Sequence, residues 1–469
     1  MTDQPKTKRR GELVRVLGYV RPYWLHFSGA VLLGLIKFLM PVAFIWLFGR
    51  AVDTLNAYQA GEVARQVAWG RLLELFTIGA VLAVINPVPV FFRSMLGARA
   101  AYNTMRDIRC DLYAHVQKLS HSFYDANRSG SLTSRIMSDV QALQPFLGRT
   151  LVQLWMNLGL IAVILVYLFS RNVWLGLLSV SLIPLQVLVL RTVGKRVKQV
   201  AREIRSKLAW MSGQTQEKLA AATVVKAFNQ EGDEIQKFND DAENLLEMGM
   251  RNARLNGVNQ LGISTLNLMA PLLVILIGGW LGLFRPETVS LGLIVEFVMM
   301  QGQLYGPFQR LSETQMITAN AMGAMERIFD IFDTEPEVQD RPGAARARDL
   351  DGEIEFCNAT FSYPNVGGQR IVDEMSFTVP ARTSIALVGP SGSGKSTVAR
   401  LLDRFYDIDD GQILVDGRDL RDYTVYSLRS QIGLVPQDPV LFSGTVLDNI
   451  LYGRPGASLG EVKQAAENA

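Results

Sequence analysis

Six apolar stretches fall between residues 20 and 311 of this 469-residue chain, at 23–48, 72–92, 150–169, 173–192, 258–283 and 289–311. Each is close to the roughly 20 residues that a helix needs to cross about 30 Å of hydrocarbon. A single stretch of that kind would also suit a buried helix of a large soluble domain; six in succession favour a membrane bundle. Composition agrees, since 49% hydrophobic and 19% charged residues are unusual for a wholly soluble chain, and the charge is gathered outside the six stretches.

The basic residues then orient the bundle. Lys6, Lys8, Arg9, Arg10, Arg15 and Arg21 precede the first span, and Arg99, Arg106, Arg109, Lys118, Arg128 and Arg135 separate the second from the third. A third group, from Lys195 and Arg196 to Lys226 and Lys237, follows the fourth span. The positive-inside rule puts all three segments in the cytoplasm. Residues 1–21 are polar and basic and lack a small-residue cleavage site, so no cleaved signal peptide is expected there. The two long connections are rich in helix formers and poor in Pro and Gly, which predicts spans that continue as helices roughly 30 Å into the cytoplasm and turn near 124–131 and 220–228.

Lys37, Asn86, Pro87, Pro89, Asn157, Asn267 and Glu296 interrupt the apolar spans. Ionisable groups are costly there, so Lys37 and Glu296 are candidates for lining a pathway, with snorkelling or an interhelical ion pair as the alternative. A net charge of +3 argues against a nucleic-acid partner. Cys110 and Cys357 are far apart, without metal-ligand spacing, and fit a reducing cytoplasm.

Beyond the spans, the amphipathic run 324–332 gives way to a segment with Pro336 and Pro342, read as a linker. From Gly352 short β-type runs begin, at 353–356, 376–379, 384–388 and 411–415. Gly389, Pro390, Ser391, Gly392, Ser393, Gly394, Lys395, Ser396 and Thr397 fit the phosphate-loop pattern G-x-x-x-x-G-K-[ST], with an expected strand before and a helix after. The chemistry needs this order: glycines let backbone N–H groups curl around a pyrophosphate, and the following helix turns its positive end toward the same anion. Lys395 would reach the β- and γ-phosphates of a nucleotide, Ser396 would offer its hydroxyl to Mg²⁺, and Thr397 would open the helix.

Two residues flank the loop in an informative order. Tyr363 could stack on a purine, or be an aromatic at the edge of a core. Gln437, at the end of an apolar strand expected over 432–435, could reach a bound metal or its water, or be a solvated turn residue.

With these motifs in place, the chain resembles an exporter-type ATP-binding cassette (ABC) half-transporter of the multidrug and lipid exporter group. The resemblance rests on Phe361-Ser362-Tyr363-Pro364, the 389–397 loop, Asp416-Gly417-Arg418-Asp419-Leu420, Leu428-Arg429 leading into Val435-Pro436-Gln437, and Leu441-Phe442-Ser443-Gly444-Thr445 with Asp448-Asn449-Ile450. In the membrane half, Ser122-Phe123-Tyr124-Asp125 with Gly130 and Ser134-Arg135, and Glu217-Lys218-Leu219 with Val224-Val225-Lys226-Ala227-Phe228, are similar to the family's two intracellular loops.

The resemblance implies an α-helical six-span transmembrane bundle with long intracellular helices, followed by an α/β phosphate-loop nucleotide-binding domain. The expected division is 1–22 as an N-terminal cytoplasmic segment, 23–322 as the transmembrane domain, 323–351 as the linker and 352–469 as the nucleotide-binding domain. It further implies adenine stacking by Tyr363, metal contacts from Ser396 and Gln437, and a second half-transporter, identical or different. ATP would drive export of a small hydrophobic or amphipathic lipid, drug or peptide across a bacterial inner membrane, with the N-terminus and nucleotide-binding domain cytoplasmic.

The chain departs from the family pattern after Gln437. No L-S-G-G-Q signature or strand ending in Asp-Glu follows, and its three histidines, His26, His115 and His121, all lie in the membrane half. Ser458-Leu459-Gly460-Glu461 predicts the start of a helix that runs to the last residue, so the domain is expected to be incomplete and unable to turn over ATP unaided. The sequence also fits a non-enzymatic nucleotide-binding membrane partner, or an ATP-gated channel or regulator on the same scaffold.

Overall fold

The computed structural model describes residues 6–127, 129–284, 289–364, 369–390 and 392–469. The chain divides into two compact units, one of residues 1–113 and 133–331, the other of residues 114–132 and 332–469.

The first unit is helical throughout. Helix α1 (Lys6–Val20) leads through a short turn at Arg21–Tyr23 into α2 (Trp24–Gln59), α3 (Arg65–Ile85) and α4 (Pro87–Lys118). Asn86 separates α3 from α4, and Pro87 opens α4, a position where its missing N–H costs no helical bond. After α5 (His121–Ala126) and α6 (Ser129–Ser134), the chain makes a π-helical turn at Arg135–Asp139, the short α7 (Val140–Ala142) and a second π-helical turn at Phe146–Thr150. Pro145 stands just before that second turn and has no N–H to give a regular ladder. Then follow α8 (Leu151–Arg171), α9 (Val173–Ser181), α10 (Ile183–Ala220), α11 (Ala222–Ala227), α12 (Glu231–Phe284) and α13 (Leu291–Phe332). The Asn172 side chain caps α9 by accepting from the Leu175 N–H at 3.1 Å.

Met156, Leu160, Ile164 and Leu168 of α8 meet Phe297, Met300 and Leu304 of α13, with Leu175 and Val274, in the buried core of this unit. Its outer surface is equally apolar, with Val84 77% and Leu283 82% exposed, as suits a lipid-facing bundle and not a water-facing one. Among the described residues five helices are long and apolar enough to cross a membrane, and the apolar part of α13, Leu291–Leu304, is shorter than a full span. At 1.5 Å per residue α12 is about 80 Å long, far more than the hydrocarbon needs. Beyond it α10 and α12 run side by side, joined by Lys207 to Asp241 at 2.6 Å and Lys218 to Glu234 at 3.4 Å.

Glu296, 1% exposed, accepts a hydrogen bond from the Tyr167 hydroxyl at 2.7 Å and faces Arg171 at 3.5 Å. The interhelical pairing weighed against a pathway role is therefore present at Glu296. Lys37 is half-buried and partnered.

The second unit is built on a four-stranded antiparallel sheet in the order β2-β1-β3-β4, from β1 (Ile354–Ser362), β2 (Arg370–Val379), β3 (Asp410–Val415) and β4 (Arg418–Asp419). Phe356 sits opposite Phe377 on one side and Ile413 on the other. Asp416 and Gly417, both at positive φ, make the two-residue turn between β3 and β4. Helices α14 (Lys395–Leu402), α15 (Val425–Arg429), α16 (Val446–Leu451) and α17 (Leu459–Asn468) complete it. Ser458 and Glu461 form the expected capping box of α17.

Two expectations need correction here. The runs 384–388 and 432–435, read as strands, join no sheet among the described residues: Ile385 is 51%, Val388 88% and Val435 92% exposed. Apolar β-branched composition supplies the propensity, but a strand forms only where a neighbour takes up its backbone hydrogen bonds. The segment 323–351, read as one linker, is not uniform either. Its first part continues α13 to Phe332, while Ala345 bridges to Tyr423 and Ala347 is buried among the sheet residues.

Candidate functional site

The phosphate-loop pattern forms a tight turn running directly into α14. Gly389, Gly392 and Gly394 all have positive φ, at 158°, 84° and 87°. Gly394 caps the helix, and a Cβ there would stand 3.0 Å from the Ile371 carbonyl oxygen of β2, so only glycine fits without strain. Lys395 folds back into the loop, its Nζ donating to the carbonyl oxygens of Gly389 at 2.9 Å and Pro390 at 2.8 Å. A cation held among these oxygens, beside the N-terminus of α14, marks where an anion's charge is balanced.

The remaining loop residues divide by exposure. Ser393 and Ser396 are exposed, Ser396 on the first turn of α14, while Thr397 is buried. Ser391 lies outside the described residues. The residues present fit a phosphate group: glycines where a Cβ would intrude, a lysine poised in the loop, and a serine hydroxyl beside it that suits a hard cation such as Mg²⁺.

Tyr363, at the end of β1, is brought to this loop. Its hydroxyl is 3.1 Å from Thr397 Oγ1. Its ring packs edge-on against Phe361 at 5.0 Å and Tyr406 at 5.2 Å between centroids. Gln437 is not brought there: it lies exposed in the irregular stretch 432–440, and among the described residues no hydrogen bond joins it to the loop. Among the described residues no group of three or more His, Cys, Asp or Glu could hold a metal ion.

Two residues beside the loop were not picked out from sequence. Arg400 lies one turn after Ser396 on α14, with Nη1 3.5 Å from the Tyr363 hydroxyl, and Tyr406 packs on Tyr363. The four-residue spacing from Ser396 was the available signal for Arg400; Tyr406 had none, because its contact depends on the fold of the sheet.

Residues 27–308 match the family model described as the ABC transporter transmembrane region, and residues 372–469 match the model described as ABC transporter. This chain belongs to the ABC transporter family. The ABC transporter is 33% identical over 463 residues to the Bacillus subtilis protein named "Putative multidrug export ATP-binding/permease protein YgaD", covering 98% of this chain and 78% of the relative. It is 31% identical over 464 residues to the Bacillus subtilis protein named "Uncharacterized ABC transporter ATP-binding protein YknV", covering 97% and 74%. A Staphylococcus aureus relative with the same description as YgaD is 31% identical over 458 residues, covering 97% and 78%. The transporter thus joins a helical transmembrane region and the ATP-binding region of an ABC ATPase in one multi-pass membrane chain, the make-up of a half-transporter.

Proposed function

We propose that this ABC transporter is one half of a dimeric exporter that moves a small hydrophobic or amphipathic molecule, a lipid, drug or peptide, across a bacterial inner membrane. The observation that carries the nucleotide part is the loop geometry, in which Lys395, Ser396 and three positive-φ glycines converge at the start of α14. The export direction and cargo class draw on relatives named for multidrug export and on the apolar outer face of the helices. Six spans follow if the apolar part of α13 continues past Leu304 to about residue 311, and the cationic connections then put the N-terminus and the cassette in the cytoplasm.

Within the site, the Lys395 ammonium exchanges the Gly389 and Pro390 carbonyls for β- and γ-phosphate oxygens, and the N–H groups opening α14 cradle the same anion. Tyr363 stacks on the base. Mg²⁺, when held at the Ser396 hydroxyl, would supply neutralisation of phosphate charge. Gln437 is assigned to the same metal, which requires its exposed stretch to move onto the loop.

Hydrolysis needs more than a cradle, namely an acidic group to hold the metal and an oriented water. The 469 residues contain no Asp-Glu strand end after Gln437 and no histidine in the cassette, so the polypeptide by itself is expected to bind MgATP without turning it over. Steady-state ATPase assays on the purified, mass-verified chain test this alongside calorimetric MgATP binding. Binding without turnover supports the reading; turnover well above background, or no binding, contradicts it.

A further inference from the structure

A chain of polar contacts leads away from the phosphate loop to α5. Asp125, near the end of α5, accepts a hydrogen bond from the Tyr406 hydroxyl and lies 3.8 Å from Arg400 Nη1. Arg400 also approaches the Tyr363 hydroxyl at 3.5 Å, and that hydroxyl meets Thr397 Oγ1 at 3.1 Å. Rings reinforce the same path. Tyr363 and Tyr406 stand at 89° to one another, and Phe361 packs against both, 5.0 Å from Tyr363 and 5.3 Å from Tyr406. His121, one turn before Asp125, stacks on Phe405 at 5.0 Å and meets Tyr406 edge-on at 5.9 Å.

The chemistry fixes the direction of these bonds. Burial, then the bond to Asp125, pushes the Tyr406 phenol well above its ordinary value, so it remains a donor throughout the physiological range. Burial works against the Arg400 charge, yet the Tyr363 hydroxyl and Asp125 hold its proton more firmly than usual. Asp125 therefore receives a neutral donor and faces a cation, while Tyr363 is held at its hydroxyl by Thr397 and Arg400 and along its ring by Phe361 and Tyr406.

We propose that Asp125 and Arg400 are positioning residues for the Tyr363 ring, so that α5, in the connection between the second and third spans, senses the aromatic base of the bound nucleotide separately from its phosphates. The inference rests on the reading of Tyr363 as the base-stacking residue. Linkage makes it reciprocal: if α5 holds the ring ready for a base, a bound base must in turn strengthen the hold on α5. Phosphate groups, gripped by Lys395 and the loop backbone, make no use of this path.

Binding of MgATP and of magnesium tripolyphosphate, which has the phosphates without the base, separates the two. Both are measured by calorimetry on the full chain in detergent, for the parent and for Asp125→Asn, Arg400→Gln, Tyr363→Ala and the Asp125→Asn/Tyr363→Ala double variant. Asp125→Asn and Arg400→Gln are each expected to weaken MgATP about three- to tenfold, the worth of one hydrogen bond in affinity, and to leave tripolyphosphate unchanged. Asp125→Asn should add little on the Tyr363→Ala background.

Unchanged MgATP affinity in both single variants overturns the proposal, as does full additivity in the double variant. Equal loss of MgATP and tripolyphosphate also overturns it, because the phosphate loop itself would then be damaged. If Tyr363→Ala leaves MgATP affinity intact, the base-stacking reading fails and the sensing path falls with it. If Tyr363→Ala weakens MgATP while the other two variants do not, only the path fails.

Discussion

Gly394 stands where the backbone must enter α14 at φ 87° with β2 close behind it. A methyl group at that point meets both a disfavoured dihedral and the Ile371 carbonyl oxygen at 3.0 Å. Gly394→Ala is therefore expected to destabilise the cassette unit by about 1–3 kcal/mol, the usual cost of one strained backbone position, and to lower its unfolding temperature in calorimetry. Asp419 makes a different prediction. Burial alone would raise its carboxyl, but the Arg421 side chain at 2.7 Å and backbone N–H at 2.8 Å more than offset this and hold it below its ordinary 3.8. A depressed carboxyl stabilises the fold fully above pH 3.8 and loses that contribution as pH falls through its folded value. Asp419→Asn should cost about 1–2 kcal/mol at neutral pH, and calorimetric unfolding of variant and parent should converge in acid below pH 3.8.

The elements differ in how far the sequence announces them. Helices α2, α3, α8, α10 and α12 overlap the apolar stretches marked from residues alone, since a lipid-spanning helix is written in local composition. The same holds for the Ser458 capping box and for the glycine pattern ahead of α14. Runs 384–388 and 432–435 read as strands yet form none, because strand pairing is a property of neighbours and not of the run itself. The partners of Tyr363 and Glu296 were equally hidden: Tyr406 and Tyr167 lie 43 and 129 residues away, and only the fold joins them. Glu296 ties α13 to α8 through Tyr167 and Arg171. Glu296→Ala leaves the Tyr167 hydroxyl without its acceptor and is expected to cost about 1–3 kcal/mol in detergent unfolding, with the Glu296→Ala/Tyr167→Phe pair costing less than the sum of the single variants.

For the whole chain, the family places an ATP-binding region after a transmembrane region, and the 389–397 loop is the proposed point where nucleotide is held. Everything proposed about export depends on that hold, because a transporter that does not grip ATP's phosphates has nothing to drive it. The decisive measurement is the dissociation constant of MgATP for the full chain and for Lys395→Ala in the same detergent. Loss of one charge-assisted contact is expected to weaken binding about tenfold to a hundredfold. An unchanged dissociation constant in Lys395→Ala would contradict the assignment of the 389–397 loop as the nucleotide site.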